Sequence, residues 1–144
     1  MNERKSSRLV AEERLFQRNL SSLDPFFEMM DAFIGSVRVD ADTAADFKVA
    51  AEELFTNAIR HSGASRTPIG IQLSREDDWL EFRLTDQGAE PFDITTAPLS
   101  DLSVPIEQRQ AGGMGLHIVR AIADELSYTH QNGNGIITLR KKLR

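Results

Sequence analysis

Glu53, Asn57 and His61 recur at four-residue intervals in Glu53-Leu54-Phe55-Thr56-Asn57-Ala58-Ile59-Arg60-His61, so a helix would stack them on successive turns of one face. At roughly 100° per residue this row follows the margin of an apolar stripe and sits at the edge of a core. A carboxylate and an amide oxygen one turn apart can hold a metal-bound or polarised ligand. The competing reading is a solvated helix face with an incidental polar row. Lys48 precedes Glu52 by one helical turn and is expected to pair with it, a contribution of about 0.2–0.5 kcal/mol. Glu53 has Val49, Ala50, Thr56 and Asn57 at the corresponding spacings and no cation. His61 has two readings: it lines the same site, or it donates to the last carbonyls of the helix.

Two further groups stand later in the chain. Asp86-Gln87-Gly88 follows an alternating strand pattern, and alone it has the composition of an ordinary turn. Gly112-Gly113-Met114-Gly115 precedes a helical pattern, and each of its three glycines gives up about 0.5–1 kcal/mol relative to alanine in ordered structure. One glycine can serve as a cap; three need another reason. Glycines let the backbone approach a ligand and aim N–H groups at it, and a helix N-terminus adds a field favourable to phosphate. Flexible loops also collect glycine, so the motif in isolation keeps that second reading.

The elements that must position these residues follow from periodicity. Phe16, Arg18 and Leu20 at period two suggest a short first strand, with the polar residues 1–13 as a flexible tail and the ordered domain spanning 14–144. Asp24-Pro25 reads as an N-cap and first helical residue, and Phe26, Phe27, Met30, Phe33 and Ile34 carry the helix to a C-cap at Gly35. Ala44, Phe47, Ala50, Ala51, Leu54, Phe55, Ala58 and Ile59 define a second helix ending near Ser62-Gly63. Ile69, Ile71 and Leu73 alternate, Arg75 to Asp78 turn, and Leu80, Phe82 and Leu84 alternate again, which is a hairpin. From Asp86 to Ala111 there is little periodicity and three of the five prolines; so long an irregular segment predicts a functional lid, about 89–111. Leu116, Val119, Ile122, Ala123 and Leu126 predict a third helix, and Tyr128 with Ile137 and Leu139 flank the turn Gln131-Asn132-Gly133-Asn134-Gly135 of a closing hairpin. The order β-α-α-β-β-lid-α-β-β predicts an α+β, two-layer sandwich with helices on one sheet face.

Composition narrows the function classes. The 144 residues suffice for one core and one site. With glycine counted, roughly 45% of the chain is apolar, the usual level for a soluble globular domain. The absence of cysteine excludes disulfides, thiolate metal sites and cysteine nucleophiles. Seventeen basic against 22 acidic residues leave a net charge of -5, which gives no global attraction to nucleic acid or to an anionic membrane. No apolar run approaches the roughly 18 residues of a membrane span, and the polar start lacks a signal-peptide core, so the cytoplasm is the expected location.

The three motifs occur in one fixed order, and in that order the sequence resembles the GHKL superfamily of ATP-binding domains over about residues 22–143. Within it the chain is most similar to the small anti-sigma-factor serine kinases of bacterial partner-switching systems. Ala51 to His61, Asp86-Gln87-Gly88 through Pro91-Phe92-Asp93, and Gly112 through Val119 carry that likeness. The resemblance implies the Bergerat-type ATP-binding fold, with a mixed, mostly antiparallel sheet and a mobile ATP lid. It implies ATP and Mg²⁺ as cofactors. Glu53 matches the catalytic base and Asn57 the Mg²⁺ ligand; Asp86 matches the adenine reader, beside which Gly88 leaves room for the base. Gly112, Gly113, Met114, Gly115 and Leu116 match the phosphate-facing end of the lid, and His61 joins the nucleotide-binding set. The implied activity is phosphorylation of a serine on an anti-sigma-factor antagonist, alternating with sequestration of a sigma factor. An ATP-binding partner-switching module without phosphotransfer is the alternative. Relatives of this type are commonly homodimers, for which Phe26, Phe27 or Met30 offer a seam if exposed; the alternative is that these side chains are core. Two departures stand out: residues 23–35 contain no arginine for partner contacts, and Gly135 is followed by Ile136 and Ile137 where many members carry a threonine supporting the aspartate.

Overall fold

The apolar stripe of the second helix becomes one wall of the core. In the computed structural model, which describes residues 8–60, 67–88, 95 and 113–143, α2 (Ala41–Arg60) buries Phe47, Ala50, Ala51, Leu54, Phe55 and Ala58. Asp40 starts it: the Thr43 N–H and hydroxyl donate to its carboxylate at 2.9 and 2.8 Å, satisfying an amide that the first turn leaves open. The preceding helix, α1 (Leu23–Val37), begins after Ser22 rather than Asp24 and passes through Gly35. It continues because Val37 belongs to its buried face, and it stops at Arg38, whose φ of 49° is left-handed. Arg75 donates to the carbonyls of Val37 and Arg38, closing the helix end from the sheet side.

Five strands form one open sheet: β1 (Arg8–Phe16), β2 (Ile69–Glu76), β3 (Trp79–Gln87), β4 (Glu125–Gln131) and β5 (Asn134–Lys142), in spatial order β1-β2-β3-β5-β4. All four pairings are antiparallel, so the expected mixed sheet gives way to a purely antiparallel one among the described residues. The β2–β3 and β4–β5 connections are hairpins, whereas β3 and β4, both antiparallel to β5, run parallel to each other and are joined by a crossover that includes α3. The β4–β5 turn is Asn132-Gly133, both at positive φ, the geometry that matches strand twist in a two-residue connection.

The helices cover one face of this sheet, giving the α+β two-layer arrangement. Ile69, Ile71 and Leu73 of β2, Leu80, Phe82 and Leu84 of β3, and Ile137 and Leu139 of β5 all project into the core. The register aligns them across strands, with Ile71 opposite Leu84 and Leu84 opposite Ile137. Phe26, Phe55, Phe16 and Phe82 then join α1, α2, β1 and β3, with ring centroids from 4.2 to 6.2 Å apart. Phe26 and Met30 are fully buried, which removes them as a dimer seam; Phe27 is partly buried.

Two boundaries differ from expectation. The first strand ends at Phe16 and begins at Arg8, so residues 8–13 of the expected tail pair with β2, from Arg8 opposite Glu76 to Glu13 opposite Gln72. The charges of Glu12 and Glu13 suit an edge strand, where they discourage further pairing. Arg18 and Leu20 lie beyond the strand. The third helix, α3 (Gly113–Ile122), includes Gly113 and Gly115 in its first turn and ends before Leu126, which belongs to β4. Asp124 causes the change: its N–H donates to the Arg140 carbonyl at 3.1 Å, its carboxylate accepts from the Lys142 N–H at 2.7 Å, and the chain is captured as a strand. Lys141 donates to the Ile122 carbonyl at 2.9 Å and pairs with Asp124 at 3.4 Å. The basic segment Arg140 to Lys142 is thus a structural part of β5, with Arg140 also stacked over Trp79.

Candidate functional site

The site is built where α2 meets α3. Glu53, half-buried on α2, lies against Gly115 so closely that a Cβ at Gly115 would overlap the Glu53 Oε2 and stand 3.1 Å from its Cδ. Only glycine permits this approach. Asn57, one turn along the same face, is 8% exposed, and its Oδ1 has no hydrogen-bond partner among the described residues. An amide oxygen that is buried and unpaired costs about 1–3 kcal/mol, so an atom beyond the described residues, of the chain or of a ligand, is needed to satisfy it.

Gly113, Met114 and Gly115 form the first turn of α3, whose N–H groups have no acceptor inside the helix. Free N–H groups at the positive end of a helix are the arrangement that binds phosphate oxygens. The Leu116 side chain is 6% exposed and packs in the hydrophobic core, fixing the start of α3. Among the described residues no group of three or more His, Asp or Glu could hold a metal ion. The Asn57 oxygen is nevertheless the kind of hard donor Mg²⁺ accepts, since that ion keeps several waters and takes much of its shell from substrate phosphates.

A second part of the site lies at the end of β3. Asp86 stands opposite Gly135 on β5 and Ile69 on β2, neither of which offers a polar side chain. Its Oδ1 instead accepts from Arg18, a residue that no sequence motif contains. Gly88, just past the strand, has a φ of 70°, a backbone on which a side chain would be strained. Thr67 anchors this corner, its hydroxyl donating to the Gln87 carbonyl at 2.5 Å.

The structure therefore brings together Glu53, Asn57 and Gly115, and places Asp86 and Gly88 at the end of the neighbouring strand. His61, Gly112 and the 89–111 segment, apart from Thr95, lie outside the described residues. Lys48 pairs with Asp31 on α1 at 2.5 Å rather than with Glu52. Burial pushes the Glu52 carboxyl above the usual range, Lys48 opposes this, and Asp31 and Glu53 add to it.

A model of the histidine kinase-like ATPase domain matches residues 16–141. The chain is 29% identical over 97 residues to the serine-protein kinase RsbW of Halalkalibacterium halodurans, covering 64% of this chain and 59% of that one. To the serine-protein kinase RsbW of Staphylococcus epidermidis it is 32% identical over 100 residues, covering 64% and 62%. It thus spans about six tenths of the length of the curated relatives it matches. Among solved structures, the RsbU and RsbW domains of Rv1364c from Mycobacterium tuberculosis superpose with a TM-score of 0.66 at 16% identity, over 96% of this chain and 33% of that one, a likeness of fold. With the match running from the end of the first strand to the last, through both halves of the site, the chain belongs to the histidine kinase-like ATPase domain family.

Proposed function

We propose that this protein is an ATP-dependent serine kinase of the anti-sigma-factor type. It acts in the cytoplasm on a serine of an anti-sigma-factor antagonist and sequesters a sigma factor in alternation. The observation that carries the reading is the buried Oδ1 of Asn57, unpaired among the described residues and set one turn from Glu53, which abuts Gly115 in the first turn of α3. The name shared by the RsbW relatives supports it.

Bound Mg-ATP supplies a γ-phosphoryl group whose transfer depends on positioning and charge neutralisation more than on covalent catalysis. The Asn57 Oδ1 would hold the metal, and the N–H groups of Gly113, Met114 and Gly115 would hold phosphate oxygens. The Asp86 carboxylate accepts from the exocyclic amine of adenine. Glu53 takes the proton of the incoming serine hydroxyl as its oxygen bonds to phosphorus and ADP leaves. The new phosphate adds about -1.5 to -2 charge to the antagonist and breaks its docking.

Incubation with a cognate antagonist and γ-labelled ATP tests this. Label should move to the antagonist with the parent protein and not with Glu53→Ala. Nucleotide binding without transfer would leave an ATP-controlled partner-switching module. No nucleotide binding would refute both.

A further inference from the structure

Arg18 stands outside every motif, yet its side chain is only 2% exposed. It lies two residues past the end of β1, and its donors are spent inside the protein. Nε donates to the Thr67 carbonyl at 3.1 Å, Nη1 to the Ala58 carbonyl at 3.2 Å, and Nη2 to the Thr67 hydroxyl at 3.4 Å and to Asp86 Oδ1. A guanidinium is costly to bury unless its nitrogens are matched, and all three are matched here. The acceptors belong to the last turn of α2, the residue pair before β2, and the end of β3. These are the chain ends that frame the site. Ala58 also adjoins Asn57, so one planar group ties the helix bearing the unpaired amide to the strand bearing the carboxylate.

Asp86 receives no polar support from its cross-strand neighbours Gly135 and Ile69. A carboxylate at the end of a strand, 22% exposed, has free choice of rotamer unless something fixes it. Arg18 engages Oδ1, and a rigid fork held at three other points leaves that oxygen one place to sit. Resting on the proposed nucleotide site, we propose that Arg18 is a positioning residue that orients the Asp86 carboxylate and thereby sets the preference for a nucleobase bearing an exocyclic amine. A base with a carbonyl oxygen at that position presents an acceptor to an acceptor and gains nothing from the alignment.

The test is calorimetric binding of ATP and of ITP, whose base lacks the amine, to the parent protein, Arg18→Met and Arg18→Lys. Arg18→Met should weaken ATP binding about tenfold or more while leaving ITP within about twofold, so the preference collapses. Arg18→Lys keeps the charge but cannot span four acceptors, and should lose most of the preference too. Should Arg18→Met fail to fold, as thermal unfolding would show, the Arg18→Lys ratio decides alone. Equal weakening of both nucleotides would make Arg18 merely structural and overturn the assignment, as would a preference retained in either variant. A parent protein that binds neither nucleotide refutes the underlying site and this role with it; a parent that prefers ATP while the variants do likewise refutes the role alone.

Discussion

Gly115→Ala should separate catalysis from folding. The new methyl would overlap Oε2 of Glu53 and stand 3.1 Å from Cδ, while the distance to the Glu53 Cβ, 3.6 Å, is ordinary contact. Relief therefore comes from the free end of the Glu53 side chain, not from the α2 backbone. Moving a carboxylate off its rotamer costs about 0.5–1.5 kcal/mol. Alanine in place of a helical glycine returns about 0.5–1 kcal/mol. The two nearly cancel, so thermal unfolding should change stability by less than about 1 kcal/mol. Restoring van der Waals contact displaces the carboxylate by about 1 Å, and a displacement of that size at a reacting group costs roughly a hundredfold in rate. Mg-ATP affinity should hold, because Asn57 is not displaced. Single-turnover transfer of labelled phosphate gives the rate, and calorimetry the affinity. The double variant Gly115→Ala, Glu53→Gln should be no slower than Glu53→Gln alone, since both act on one carboxylate. A Gly115→Ala protein that transfers phosphate at the parent rate would refute the reasoning, as would one that unfolds.

Asn57→Ala removes a buried acceptor that is unpaired among the described residues, so the unfolding free energy from urea melts should stay level or rise, by up to about 1 kcal/mol, while the Mg²⁺-dependent part of ATP binding disappears. A marked loss of stability would show that Oδ1 has a protein partner after all. Because Glu52 titrates above 4.5 in the folded chain, the folded state holds its proton more tightly than the unfolded state, and this group's contribution falls as pH rises through the window opening at 4.5. Relative to the parent, Glu52→Gln should thus be more stable at neutral pH than below pH 4.5; urea melts that run parallel across this range would contradict the assignment. Phe26→Ala should cost about 3–5 kcal/mol in denaturant unfolding, because its ring is fully buried among Phe16, Phe55 and Phe82. A loss below about 1 kcal/mol, with a change in oligomeric state, would return Phe26 to an interface.

What could be read before folding was local. The α2 stripe and the β2–β3 alternation repeat every few residues, and each has one buried face, so their patterns are unmixed. Glu53 and Asn57 were legible for the same reason, being one turn apart on a helix whose register the stripe sets. β1 was not, because an edge strand carrying Glu12, Glu13 and Arg14 has no apolar alternation to show. Leu126 continues the α3 spacing by coincidence, and only the contacts of Asp124 with β5 reveal the break. Arg18 is the extreme case: its acceptors lie 40 to 68 residues away, so no window of sequence contains the reason for it. The fit of Gly115 against Glu53 was equally hidden, since the glycine pattern spoke of phosphate and not of which side chain it must clear.

Lys141 gives α3 a second anchorage with a mechanical meaning. The C-terminal end of the helix is pinned to the sheet through the Ile122 carbonyl and Asp124, and near its beginning Leu116 is seated in the hydrophobic core. A rod fastened near both ends behaves as a beam and not as a lever. The ten residues of α3 make a beam of about 15 Å, and Gly115 lies within it, against the Glu53 carboxylate. The compliant partner in that contact is the side chain, and the helix is the wall it leans on.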